Sequence, residues 1–131
     1  MKRFFKPGRI AWSAAGQAHG VAHGPAFKRL LISGQPGVDE AGDVPADLEA
    51  QIGLAFDNLL RVVEAGQMAA DDIVRIVAYV AAPRGYGIFD RVRERKLGGL
   101  TPAATYVETA GFSDPRWRVL IEGEAVRDQT S

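Results

Sequence analysis

The sequence predicts an α+β domain in which two helices pack on one face of a mixed sheet. Three segments carry that expectation. From Pro45 onward, Leu48, Ile52, Ala55, Phe56, Leu59, Leu60 and Val63 recur at steps of three and four, drawing one apolar stripe down a helix. Ile73-Val74-Arg75-Ile76-Val77-Ala78-Tyr79-Val80 is β-branched and aromatic, bounded by Asp71-Asp72 and Pro83, and reads as a strand. Near the end, Val119-Leu120-Ile121 are consecutive apolars inside a longer strand-like run, the pattern of a strand covered on both faces.

Each element follows in order. The basic start (Lys2, Arg3, Lys6, Arg9) is short and mixed with aromatics, and reads as an exposed first strand or a frayed end. Residues 9–13, Arg-Ile-Ala-Trp-Ser, form a candidate strand. Gly16 to Pro25 is rich in Gly and small residues, a loop composition with room for a short extended piece. Residues 29–34 form the next strand, where Leu30-Leu31-Ile32 runs into Ser33-Gly34-Gln35-Pro36. That pattern predicts a buried strand stopping at a sharp turn, with an exposed hydroxyl and a Gly that a ligand can approach closely. Asp39 to Asp43 is a turn.

In the first helix, Asp43 or Val44 lies at the cap, Pro45 suits the first turn and Gly66 the exit. Gln51, Asp57, Asn58 and Arg61 fall off the stripe, and most of them read as a solvated or sheet-edge face. A second helix covers Gly87 to Leu97, with Ile88, Phe89 and Val92 inward and Arg91, Arg93, Glu94 and Arg95 outward, and Gly98-Gly99 ends it. Two strands close the chain, Ala104 to Thr109 and Trp117 to Val126, parted by the turn Ser113-Asp114-Pro115. The order is β, β, α, β, α, β, β. Two helices can cover only one face of a sheet, so a subunit interface is the economical cover for the other, and a homo-oligomer is expected.

Composition narrows the class. At 131 residues the chain is expected to form one domain with a genuine core. Its 16 basic and 16 acidic residues cancel, which removes any global attraction to phosphate and argues against nucleic-acid binding. There is no cysteine, hence no disulfide, thiolate nucleophile or Cys-based zinc site, and a reducing compartment fits. No run approaches the roughly 18 apolar residues of a membrane span, and the first residues lack a signal-peptide core, so the expectation is a cytoplasmic protein without a membrane partner.

Several residue groups invite chemistry and have plainer readings. His19 and His23 stand four apart, but Gly20 and Gly24-Pro25 oppose a helix there and no third ligand is evident, so no metal is expected. Either histidine could act as a general base on a loop bordering a cleft. Asp71-Asp72 sits at a strand entrance and reads as turn chemistry. Arg91, Arg93, Arg95 and Lys96, interrupted by Glu94, read as a solvated helix face. Arg116 and Arg118 flank Trp117 either as a solvated basic edge or as a carboxylate anchor.

Taken together, Ser33-Gly34-Gln35, Gln51, Phe56-Asp57-Asn58-Leu59-Leu60, Glu64-Ala65-Gly66, Asp71-Asp72-Ile73-Val74, Thr101-Pro102-Ala103 and Ile121-Glu122-Gly123-Glu124-Ala125-Val126 form an ordered set over residues 28–126. The set resembles the Rid superfamily, the reactive intermediate deaminases also called YjgF-type or L-PSP endoribonuclease-like proteins. The resemblance implies a chorismate-mutase-like fold with a six-stranded mixed sheet, and a homotrimer whose sheets line a central barrel. It also implies ligand clefts between subunits and no cofactor. The best-known branch hydrolyses reactive enamines and imines to a 2-keto acid and ammonia.

By the same resemblance, Ser33, Gly34, Gln35, Phe89, Ala104, Thr105 and Leu120 are the expected ligand-binding positions, and the ligand is a small metabolite that can carry a carboxylate. The chain departs from the deaminating branch at two of them. That branch places its carboxylate-binding Arg directly after Pro-Ala, where this chain has Ala104. It places its water-positioning Glu two residues before the one matching Glu122, where this chain has Leu120. An Ala makes no ion pair and a Leu neither polarises water nor accepts a proton. Glu122, His19 and His23 remain as candidates for proton transfer. The expectation is a small-molecule-binding trimer without the imine-deaminase set. A hydrolase for another imine, enamine or amide is the second reading, and an interaction or endoribonuclease-type module the third.

Overall fold

A computed structural model describes residues 2–9 and 16–128. The elements are β1 (Arg3–Phe5), β2 (Gly20–Ala22), β3 (Ala26–Pro36), α1 (Leu48–Ala65), β4 (Ile73–Val80), α2 (Tyr86–Leu97), β5 (Ala103–Glu108) and β6 (Val119–Asp128), with a 3₁₀ turn at Ala70–Asp72 before β4. The main sheet has the order β3-β6-β4-β5. β6 lies antiparallel between β3 and β4, while β4 and β5 run parallel, joined by the α2 crossover that a parallel pair requires. β1 and β2 form a separate antiparallel ribbon, tied to the edge strand β5 by a bridge between Ala18 and Ala103.

The α+β class and the two helices on one face match the sequence reading. Among the described residues the strands do not form one six-stranded sheet: four make the main sheet and two make the ribbon. The candidate strand at residues 9–13 falls, beyond Arg9, outside the described residues, and Arg9 itself is in a turn.

Alternation fixes which face is buried. Ile76, Ala78 and Val80 of β4 and Val119, Ile121 and Ala125 of β6 are buried against Ile52, Phe56, Leu59 and Val63 of α1 and Phe89 and Val92 of α2. The intervening residues Arg75, Val77 and Tyr79, and Leu120, Glu122 and Glu124, stand on the face that carries no helix. The consecutive apolars of β6 are thereby divided, Val119 and Ile121 inward and Leu120 outward. β3 is likewise half-covered rather than buried on both sides: Ile32 is in the core while Leu31 is 67% exposed.

β3 also runs on where a sharp turn was expected. It continues to Pro36, with the register stepping from Ile32 opposite Gly123 to Gln35 opposite Ile121. Ser33 and Gly34 therefore occupy a β-bulge, a device that re-aims side chains without ending the strand.

α1 begins later than Pro45 suggests. Asp47 is the cap, its carboxylate accepting from the Ala50 N–H at 2.9 Å, and Gly66 closes the helix as expected. Asp47 caps well because a carboxylate satisfies one of the orphan N–H groups of the first turn. α2 begins at Tyr86, one residue before the expected start.

Three polar residues read as solvated are structural. Gln51 is 1% exposed; its amide donates to Pro45 O (2.7 Å) and Arg116 O (3.0 Å) and accepts from Arg118 N–H (2.9 Å). Asn58, two turns along the same helix face, donates to both Pro36 O and Val38 O at 3.0 Å. Arg93 is 4% exposed rather than outward, its guanidinium lying beneath Gly16 and bonding Asp90 and Glu94. Gly16 adopts φ +83°, and a Cβ there would overlap that guanidinium.

Asp72 is likewise more than turn chemistry. It is buried, accepts from the Ala69 N–H at 2.8 Å, and pairs with Lys2 (3.2 Å) and Arg127 (2.6 Å), joining the start and end of the described chain. Burial pushes its carboxyl up, but the bonds from Arg127, Ala69 N–H and Lys2 outweigh that and hold it below the usual carboxylate range.

Candidate functional site

Two recesses meet at Arg75. The larger has a volume of about 610 Å³ and opens beside the edge strand β5. Its rim comes from Gln17, Ala18 and His19, held in place because Ala18 N–H donates to Pro102 O (3.2 Å) and His19 N–H to Phe5 O (2.8 Å). Ala103, Ala104, Thr105 and Tyr106 of β5, Tyr86 at the start of α2, and Arg75 from the neighbouring strand complete it. Tyr86 stands edge-on to Tyr106 with ring centroids 5.1 Å apart. The Tyr106 hydroxyl is buried and has no hydrogen-bond partner among the described residues. Burial first, then Glu108 and Tyr86, raises its pKa above the usual phenol value.

The smaller recess, about 250 Å³, lies on the helix-free face between β3, β6 and β4 and is lined by Leu31, Ile32, Ser33, Arg75, Val77, Glu122, Gly123 and Glu124. Glu122 accepts a 2.7 Å hydrogen bond from the Tyr79 hydroxyl. That bond, with burial and the charge of Glu122, raises the Tyr79 phenol against an opposing effect of Arg75. Glu124 is paired with Arg29 at 3.0 Å.

The structure brings His19, Ala104 and Thr105 together in the larger recess, and Ser33 and Glu122 in the smaller one. Other expected site residues lie elsewhere. Phe89 is 4% exposed and packs between Phe56 and Tyr106, beneath the aromatic wall rather than on it. Gly34 lies against Leu120, and the Gln35 amide donates to Ser33 O at 3.0 Å, so Gln35 serves the bulge. His23 is exposed and bonds Gly24 O at 2.7 Å, and Leu120 lines neither recess. Arg116 pairs with Asp114 at 2.8 Å and Arg118 reaches Ala46 O at 3.3 Å, both away from the two recesses. No group of three or more His, Asp or Glu among the described residues could hold a metal ion.

The residues that sequence reasoning missed are Arg75, Tyr79, Tyr86 and Tyr106. Arg75 and Tyr79 sit two register steps apart in an otherwise apolar strand, which places them on one face. That interruption was the available signal of a polar, helix-free face.

Two helices on one side of a four-stranded mixed sheet, with side-chain recesses on and beside the other, define a ligand-cleft α+β domain. The Endoribonuclease L-PSP family profile matches residues 14–127, and the chain belongs to this family within the Rid superfamily. A Rid-family protein of unknown function, YyfB from Yersinia pestis, superposes with a TM-score of 0.85 at 23% identity, covering 96% of this chain and 98% of that one. TdcF from E. coli, solved with bound serine, gives a TM-score of 0.72 at 21% identity over 96% and 99%. The YjgF gene product of E. coli gives 0.70 at 28% identity over 92% of each chain. A comparison with curated proteins returned no match. No helix among the described residues is long and apolar enough to cross a membrane.

Proposed function

We propose that the protein is a cytoplasmic homotrimer that binds a small metabolite in clefts completed by neighbouring subunits, without the imine-deaminase set of the best-known branch. The observation that carries this reading is Ala104 in the wall of the 610 Å³ recess, where the deaminating branch has its Arg. Leu120 supports it, since an apolar side chain stands where that branch positions water. The volume suits a small organic ligand. A relative solved with bound serine supports small-molecule binding in this fold. The exposed Leu31 on the helix-free face supports self-association, because burial in an interface removes apolar surface from water.

The test supplies purified protein with iminopropionate generated in situ and follows the keto acid against its semicarbazone trap. Hydrolysis at the buffer rate is expected. Turnover like that of a deaminating relative assayed alongside would overturn the reading. Light scattering that finds a monomer would remove the shared cleft.

A second reading, hydrolysis of a different imine, enamine or amide, is favoured by one feature. Glu122 is held by Tyr79 in the same recess as Ser33, so a carboxylate is oriented beside a hydroxyl. If Glu122→Gln, His19→Ala and His23→Ala each leave a detected hydrolase activity intact, that version fails.

A further inference from the structure

The edge strand β5 divides the larger recess into two halves of different chemistry. Register assigns each side chain to its half. Ala103 and Thr105 are paired with Arg75 and Val77 and point to the helix-free face. Ala104 and Tyr106 are paired with Ile76 and Ala78, which are fully buried beneath the helices. Both therefore pack against the core on the helix side, where Tyr86 of α2 meets Tyr106 edge-on at 5.1 Å between ring centroids. The Arg75 guanidinium belongs to the other face of the sheet.

The helix-side half is an aromatic wall without an ion. Ala104, Tyr86 and Tyr106 make it, and Phe89 backs both rings, at 6.3 Å from Tyr86 and 5.3 Å from Tyr106. Tyr86 is 41% exposed, so its ring stands in the recess instead of filling the core. The charge felt at this wall is negative. Burial first, then the Glu108 carboxylate, raises the Tyr106 phenol, and Glu108 lies two residues further along the same side of β5. At the rim, Gln17 supplies an uncharged amide that both donates and accepts.

These features select against ions. A carboxylate laid on this wall finds no cation there and meets the field of Glu108. An ammonium gains from Glu108 but shares the recess with Arg75. Either ion also loses hydration that nothing on the wall replaces. A neutral flat molecule avoids that cost and gains contact with the rings.

We infer that the helix-side half of the larger recess binds an uncharged ligand, its flat apolar or aromatic body laid against Tyr86 and Tyr106 and a neutral polar end, of amide type, turned to Gln17. The inference rests on the small-molecule reading above and names its ligand class.

The experiment titrates the full chain calorimetrically with four probes: 3-phenylpropanamide, the anion 3-phenylpropionate, the cation 3-phenylpropylamine, and propanamide, which lacks the ring. The aromatic amide should bind at least about tenfold more tightly than the acid or the amine, because an unpaired ion taken from water costs more than that ratio. Propanamide should bind at least about tenfold more weakly than 3-phenylpropanamide, since the ring supplies the buried apolar area. Tyr86→Phe should bind the aromatic amide as wild type does, and Tyr86→Ser should lose at least about fivefold. Ala104→Arg, which sets a cation on the wall, should reverse the order of acid and amide. Circular dichroism should give each variant the wild-type spectrum. In wild type, nuclear Overhauser contacts should run from the probe's ring to Tyr86 and Tyr106, a readout that needs no variant.

Acid or amine bound as tightly as the aromatic amide overturns the inference and leaves the small-molecule reading standing. So do probe contacts that bypass the two tyrosines, or an unchanged order of acid and amide in folded Ala104→Arg. Binding of none of the four probes also overturns it, while light scattering that finds a monomer strikes the shared cleft of the earlier reading instead.

Discussion

Replacing Gln51 tests how this fold holds the segments that flank its recesses. The side chain is 1% exposed and satisfies three backbone groups: the carbonyls of Pro45 and Arg116 and the N–H of Arg118. Gln51→Ala leaves all three without that partner. A buried group left unmatched costs about 1–3 kcal/mol, and the partial exposure of these loops favours the lower end for each. Adding the lost packing of the side-chain methylenes, the expected loss is about 3–4 kcal/mol, a large share of a typical domain's 5–15 kcal/mol. For a chain of 131 residues this is a fall in Tm of roughly 10–15 °C. Urea unfolding followed by circular dichroism measures it, and Gln51→Met separates the polar loss from the volume change. A loss under about 1 kcal/mol in Gln51→Ala would refute the reasoning, since water would then replace all three bonds at no cost.

Gln51→Glu adds a signed test. A carboxylate keeps the acceptor for Arg118 N–H but turns two donor contacts, to Pro45 O and Arg116 O, into repulsions. Its folded pKa then lies above the unfolded value of about 4.3, so the protonated form is the stable one. The deficit relative to wild type should be smallest near pH 4 and grow as pH rises towards 7. A deficit that does not change with pH would show that the carboxylate is solvated.

Asp72 has the opposite sign. Its folded pKa is depressed, so its stabilisation is present above the unfolded value of about 3.9 and is lost as pH falls through the folded value; acid titration of stability in wild type and Asp72→Asn should converge at the acid end. Gly37→Ala would drive a Cβ into the backbone carbonyl of Gln51, and should cost about 2–3 kcal/mol in urea unfolding because backbone must move. Gly16→Ala meets both the positive φ and the Arg93 guanidinium; it should loosen the loop at Ala18 and His19, seen as faster exchange of the two amides that bond Pro102 and Phe5. Ala104→Arg alone should not confer iminopropionate hydrolysis, because Leu120 still supplies no carboxylate; appreciable turnover in the keto-acid assay would contradict that.

Periodicity made the scaffold legible. The stripe from Leu48 to Val63 and the run Ile73–Val80 are long enough that local pattern and tertiary burial agree. What misled was polar chemistry pointing inward. Gln51, Asn58 and Arg93 carry no mark in the sequence that separates them from solvated neighbours, because Gln51 and Asn58 bond backbone groups supplied by other segments and Arg93 is covered by the distant Gly16. The bulge at Ser33-Gly34 was hidden for a related reason. Its composition is that of a turn, and only pairing with β6 decides that the strand continues. The larger recess was legible in part, through Ala104, Thr105 and His19, while its cation and aromatic wall come from β4 and from opposite ends of the α2–β5 unit. Those residues meet only once the parallel crossover is closed.

This division has a physical basis that bears on function. Gln51, Asp72 and Arg93 are buried, and with the half-buried Asn58 they bond or pack against groups from distant segments, so changing any one of them costs the fold. Ala104, Thr105 and Arg75 stand on the rim of an open recess, where an exchange of side chain alters charge and space at little cost to stability. A scaffold held by the first group can therefore persist while the second group changes the ligand. Under that logic, resemblance of fold carries the cleft's position, and the charge on its rim carries the choice of ligand. With Ala at 104 the recess beside β5 keeps its place in the fold, while the charge on its rim is set by side chains that the scaffold does not need.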